Sequence, residues 1–176
     1  MTRMSNEKEI RVHVRWMVRR DLADVVAIEQ VCFESPWCET DFLDCLRQRN
    51  CIGMVAEHDG RVIGFMIYEV PKNRIHLLNV AVAPEHRHCG VARQMIRKLM
   101  GKLVNQKRSR IVVEVRETNL PALLFFRSLG FRATDIRRDF YEETNEDAYL
   151  MQYRLPTEQV RPEYVPANRI TDQVEA

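Results

Sequence analysis

The chain has 176 residues, 45% of them apolar and 30% charged, with a formal net charge of +2. That length suits one domain able to bury its own core, and so small a charge gives no electrostatic case for a nucleic-acid or membrane partner. No apolar run approaches the ~18 residues of a membrane span, the polar residues 1–9 carry no signal-peptide core, and the cytoplasm is the expected location.

Residues 10–18 alternate with β-branched positions and predict a first strand. Asp21 reads as the N-cap of a helix over residues 22–33, with Leu22, Val25, Val26 and Ile28 on its apolar stripe. Ser35-Pro36-Trp37 breaks it, and a second helix covers 40–47. Strands 51–57 and 61–70 flank His58-Asp59-Gly60, a strong hairpin signal. After a turn at Pro71-Lys72-Asn73 comes strand 74–82, whose apolar run from Leu77 to Val82 predicts a central place in a sheet. A long helix covers 91–105, its buried stripe being Met95, Ile96, Leu99, Leu103 and Val104.

Residues 111–115 predict a short strand with Glu114 in its middle. Asn119 caps a further helix running to about 129, with Pro121 in its first turn and Gly130 as its C′ glycine. Strands 131–138 and 148–153 enclose an acidic loop, Glu142-Glu143-Thr144-Asn145-Glu146-Asp147. The expectation is an α/β (α+β) domain over residues 10–155: a mixed, mostly antiparallel sheet of about seven strands with about four helices on both faces. Residues 1–9 read as a flexible lead-in, and 156–176, with three prolines, as a poorly ordered tail. Five cysteines, Cys32, Cys38, Cys45, Cys51 and Cys89, contain no Cys-x-x-Cys pair, so reduced thiols are expected and no metal.

The most informative stretch runs from Val80, Ala81 and Val82 through Pro84 into Arg87-His88-Cys89-Gly90-Val91-Ala92-Arg93. A buried strand ends and a basic loop enters a long helix, whose N-terminal N–H groups and dipole favour an anion. Gly90 and Ala92 allow close approach to the backbone, and Arg87, His88 and Arg93 add charge. Taken alone, the loop also fits an ordinary strand-to-helix connection with solvated arginines.

The wider pattern adds a resemblance. Arg87-His88-Cys89-Gly90-Val91-Ala92 resembles the Q/R-x-x-G-x-G/A signature of the GNAT acetyltransferases, and the stretch from Asn79 to Pro84 resembles their preceding strand. Glu114-Val115-Arg116-Glu117-Thr118-Asn119 and the stretch from Leu124 to Phe131 resemble their second cofactor motif. The resemblance spans about residues 11–155 and implies the GNAT fold. Ser35-Pro36-Trp37, the Glu114–Asn119 stretch and Ile136-Arg137-Arg138-Asp139-Phe140-Tyr141 are most similar to the RimI type, which acetylates the N-terminal alanine of a small-subunit ribosomal protein. It implies acetyl-CoA as co-substrate, its pyrophosphate on the 87–93 loop and its thioester near the backbone of Val80 and Val82. Asn119 is expected to cap its helix, contact the cofactor, or both. The implied partner is a protein N-terminus, met by a monomer or weak dimer.

Acetyl transfer to an amine needs a neutral nitrogen, a polarised thioester carbonyl and a protonated leaving thiol. An α-amine, with a pKa of about 8, asks less of a base than lysine at about 10.4. Glu114 is the candidate base, and partial burial is expected to raise its pKa. The residues alone also fit a solvent-face carboxylate or a pair with Arg116, on the same strand face. Resemblance to the RimI type favours the base. One position departs from that type: Phe126 stands where a tyrosine acid is expected, and phenylalanine has no proton to give. Phe126 then packs under the cofactor, while Tyr141 or water protonates the thiolate, or no acid is needed. Phe33, Trp37, Arg138 and Tyr141 are the candidate acceptor residues; the alternatives are that Phe33 and Trp37 staple the first two helices to the core and that Tyr141 simply packs in a strand. The acidic loop either attracts a basic peptide or is a solvated hairpin tip. Two competing functions remain: acetylation of a small amine or lysine side chain, and a non-catalytic acyl-CoA sensor.

Overall fold

A computed structural model describes residues 8–156. Most of the expected flexible lead-in and nearly all of the expected tail lie outside those residues. The described chain forms seven strands and four helices: β1 (His13–Trp16), α1 (Leu22–Cys32), α2 (Glu39–Leu46), β2 (Cys51–His58), β3 (Arg61–Glu69), β4 (Arg74–Val82), α3 (Val91–Asn105), β5 (Arg110–Arg116), α4 (Leu120–Ser128), β6 (Arg132–Tyr141) and β7 (Glu146–Arg154).

The strands make one sheet in the order β1-β2-β3-β4-β5-β7-β6, antiparallel throughout except for the β4/β5 pair. On one face α3 and α4 pack over Ile75, Leu77, Val113 and Val115, with Met95, Ile96, Leu99 and Leu103 fully covered. Each such side chain contributes about 1.5–3 kcal/mol of burial. On the other face α1 and α2 pack Val25, Ile28 and Phe42 against Val55, Phe65 and Ile67. None of the described helices is long and apolar enough to cross a membrane.

Local chemistry explains where the expected boundaries move. β1 is shorter than residues 10–18 because its beginning is claimed by α3: Val12 N–H donates to Gln94 Oε1 at 3.1 Å, and Ile10 O accepts from Gln94 Nε2 at 2.6 Å. Asp21 precedes α1 but makes no capping bond. Its carboxylate instead takes the Arg15 guanidinium at 2.7 and 2.9 Å and the Val18 N–H at 2.8 Å. Val104, expected in the buried stripe of α3, is 53% exposed. The acidic loop is shorter than expected, because Glu146 and Asp147 belong to β7, where Asp147 accepts the Asp139 N–H at 2.9 Å. The β2–β3 hairpin turns through Asp59 (φ 49°) and Gly60 (φ 74°), both left-handed as a two-residue turn requires.

One irregularity sets up the site. β3 pairs Ile67 with Asn79 and Tyr68 with Leu77, so Leu78 is an extra residue, a β-bulge in β4. There, too, the parallel pairing with β5 stops, its last register being Leu77↔Val113. Beyond that point β5 continues against β7, with Glu114 opposite Leu150.

Candidate active site

The splay of β4 from β5 frees backbone groups. Ala83 N–H donates to Ile63 O of β3 at 2.8 Å. Alternation along the strand therefore turns the N–H groups of Val82 and Val80 the other way, towards the edge β5 has left. Two cavities of about 1020 Å³ each meet at this gap, both lined by Phe33, Val80, Asn119, Ala122 and Phe126.

The second cavity follows the start of α3. Gly90, at φ 78°, is the N-cap and His88 has φ 61°. The first bond back along the helix runs from Gln94 N–H to Gly90 O at 3.1 Å, so the N–H groups of Val91, Ala92 and Arg93 have no helical acceptor, and no side chain caps them. Amides at a positive helix end with Arg87 and Arg93 beside them suit a pyrophosphate. Arg87 Nε donates to Val82 O at 3.4 Å, and Arg93 Nη2 to Ser128 Oγ at 3.2 Å. Of the residues expected at the cofactor, Val80, Ala81, Val82, Arg87, His88, Gly90, Val91, Ala92, Arg93, Asn119 and Phe126 line this cavity. Cys89 does not: it packs against the α3-side core and its carbonyl accepts Ile10 N–H at 3.1 Å. Asn119 Oδ1 takes Ala122 N–H at 3.2 Å, so it caps α4 while facing both cavities. Phe126, 3% exposed, stands edge-on to Phe125 and Phe131.

The first cavity lies between the α1–α2 loop and the β6–β7 turn, and Phe33, Trp37, Glu114 and Tyr141 all line it. The Ser35 hydroxyl donates to Glu143 at 2.6 Å, joining those two segments. Arg138 lines neither cavity; its exposed guanidinium pairs with Asp147. Trp37 stands edge-on to Phe42, and its backbone N–H donates to Glu29 at 3.0 Å. Tyr141 lies under the Arg116 guanidinium, 4.0 Å from its ring centre. Burial raises the Tyr141 hydroxyl above its ordinary pKa; Arg116 opposes this, and Glu114 and Glu146 add to it.

Glu114 is not paired with Arg116, which binds Glu146 at 2.9 Å. It accepts from His76 Nε2 at 2.6 Å, and His76 Nδ1 meets Glu69 at 2.9 Å. Burial is the largest influence on the Glu114 carboxyl and pushes it up, but the His76 hydrogen bond and charge, with Arg137, hold it below the ordinary carboxylate range. That corrects the expected rise. His76 moves the other way: the Glu114 hydrogen bond lifts it, burial opposes, and Glu69 adds to the lift.

Three residues escape a reading of the sequence. His76 meets Glu69 once β4 pairs with β3, and Glu114 once β5 lies beside β4. Glu29, 2% exposed, accepts both Trp37 N–H and Asn79 Nδ2 at 3.0 Å, and burial raises its pKa. Its signal was available: a carboxylate one turn after Val25, on the buried side of α1. Among the described residues no group of three or more His, Cys, Asp or Glu side chains is arranged to hold a metal ion.

The acetyltransferase (GNAT) family matches residues 22–131. The chain is 31% identical over 133 residues to the ribosomal protein bS18-alanine N-acetyltransferase of Escherichia coli (strain K12), covering 74% of this chain and 89% of that one. It is 28% identical over 139 residues to a protein of Bacillus subtilis (strain 168) named as a candidate for the same activity, covering 78% and 92%. The crystal structure of the Escherichia coli ribosomal-protein alanine N-acetyltransferase superposes with a TM-score of 0.78 at 25% identity, covering 88% of this chain and 99% of that one. The chain belongs to the acetyltransferase (GNAT) family, is similar to its RimI type, and is an acyltransferase.

Proposed function

We propose that residues 10–155 act as one catalytic domain that acetylates a protein N-terminal α-amine, with alanine of a small-subunit ribosomal protein as acceptor. A ribosomal acceptor would put the activity in the cytoplasm. The carrying observation is the meeting of two cavities at the β4/β5 splay, with Glu114 on the wall of one and the α3 N-terminus on the wall of the other. The relatives named for alanine acetylation of a ribosomal protein support the choice of acceptor.

Bound acetyl-CoA supplies the acetyl thioester. The amides at Val91, Ala92 and Arg93, with Arg87, hold its pyrophosphate. The N–H groups of Val80 and Val82 orient and polarise the acetyl carbonyl. Phe126 packs against the cofactor arm. Glu114 removes a proton from the acceptor ammonium, which at a pKa of about 8 needs only a modest base. Phe33, Trp37 and Tyr141 wall the acceptor.

Purified protein incubated with acetyl-CoA and a panel of alanine-starting peptides, lysine peptides and polyamines tests this by mass spectrometry. α-Acetylation of alanine peptides is expected. Product on lysine or polyamine only, or no turnover at all, overturns the reading. Glu114→Gln should lower the rate by about 10²–10⁴ while calorimetry shows unchanged acetyl-CoA affinity.

A further inference from the structure

We propose that His76 is a positioning residue for this reaction, which aims the Glu114 carboxylate at the acceptor and receives, through it, the proton taken from the ammonium, with Glu69 behind. The inference rests on the reading of Glu114 as base.

Three adjacent strands build the chain of groups. Glu69 of β3 and His76 of β4 are direct cross-strand partners, and His76 sits level with Val112 of β5. Glu114, two residues further, is on the same face of β5 as Val112. The spacings are 2.9 Å from Glu69 to His76 Nδ1 and 2.6 Å from His76 Nε2 to Glu114. Only Glu114 lines the acceptor cavity; His76 and Glu69 line neither cavity. Side-chain exposure rises along the row, 15% for Glu114, 19% for His76 and 29% for Glu69. The row therefore leads from the acceptor towards solvent by a path other than the acceptor cavity.

An imidazole between two carboxylates is satisfied only when both nitrogens carry a proton. A neutral ring leaves one nitrogen lone pair against a carboxylate lone pair, so the row draws in one proton. The contact that holds the Glu114 carboxyl low also lifts His76, so a proton brought to this pair rests on the ring rather than on the carboxyl. Proton balance is simple. The ammonium loses two protons during acetylation; one ends on the leaving thiolate and the other leaves the site. That second proton breaks its N–H bond, forms an O–H bond to Glu114, and moves to Nε2 of neutral His76. An imidazolium then lies between two carboxylates until solvent takes the proton. The other groups bearing on the row are Arg137 of β6, which lowers Glu114, and Tyr141 of β6, which Glu114 raises, while Arg116 of β5 is engaged by Glu146.

The test is kcat against pH with acetyl-CoA and an alanine-starting peptide, for wild type, His76→Gln, Glu69→Gln and Glu114→Gln, alongside NMR titration of the His76 ring in the free protein. In wild type, kcat should rise with pH through a midpoint above about 6.5, matching the ring titration. His76→Gln keeps an N–H for Glu114 but cannot take a proton, so its plateau should fall about 10²-fold and its limb should drop towards the carboxylate range, with acetyl-CoA KM unchanged. Glu69→Gln should move both the limb and the ring titration to lower pH. An inactive Glu114→Gln beside an unmoved limb in the two other variants shows His76 to be only a structural clasp and overturns the inference. An active Glu114→Gln instead overturns the base reading beneath it. Should either variant fail to fold, wild-type NMR still decides, because a ring midpoint at or below about 6.5, or one discordant with kcat, overturns the proposal.

Discussion

Phe126 stands where a tyrosine acid is expected, while Tyr141 carries its hydroxyl on the wall of the acceptor-side cavity. Phe126 is enclosed by Phe125 and Phe131, so it offers a surface and no proton. Tyr141 has a hydroxyl, but its ring is fixed between the Arg116 guanidinium and Phe140 on the acceptor side. Tyr141→Phe keeps that stacking and removes one oxygen. We expect acceptor KM to rise several-fold with kcat changed by less than about three-fold, read from steady-state kinetics. A large kcat loss at constant KM would instead make Tyr141 the acid. At this scale the sequence speaks for Glu114, because a carboxylate inside Ile111-Val112-Val113-Glu114-Val115 has few uses. It is silent on His76, because Glu114 lies 38 residues along the chain and Glu69 meets the ring only through the register of β3 on β4. The direction of the Glu114 shift was missed for the same reason.

Among the elements, β4 and α3 were legible to the residue, since turn residues punctuate both ends of one and a sustained 3.6-residue stripe marks the other. β1 was not, because Gln94, far along the chain, takes its first backbone groups. Nor was the bulge at Leu78, which hides within a continuous apolar run. The one parallel pair of the sheet opens at its carboxyl ends, and α3 begins at that opening, where α/β sheets characteristically bind ligands. Gly90 is the hinge of that arrangement. An added Cβ would be strained at φ 78° and would press on Glu9, 2.9 Å away, so a new carboxylate there also faces an existing one. Gly90→Asp should weaken acetyl-CoA binding by at least about 10²-fold by calorimetry, through repulsion of the phosphates at the helix end. Its melting curve should remain cooperative.

Across the whole molecule, Arg15 of β1 joins three segments, bonding Asp21 before α1 and Glu57 of β2. The Arg15 hydrogen bond, against burial and with help from the Val18 N–H, holds the Asp21 carboxyl below its ordinary range. A depressed carboxyl stabilises the fold above its unfolded pKa of about 3.9, and that stability is lost as pH falls through the folded value. Asp21→Asn leaves Arg15 paired with Glu57 and should therefore cost roughly 1–3 kcal/mol near neutral pH and progressively less in acid, measured by urea unfolding at several pH values.

The order of strands also bears on when the protein becomes an enzyme during its synthesis. β5 carries Glu114, yet it meets β4 through only four registered residues, and its other edge is covered by β7 along seven. β7 is the last strand of the described sheet and lies inside β6, which precedes it. A nascent chain halted before Glu146 has every residue assigned to the chemistry and none of the strand that fixes Glu114 opposite Leu150. Its open β5 edge would offer unpaired N–H and C=O groups to any neighbouring chain. The strand that completes the support of Glu114 is thus one that itself contributes no group to either cavity.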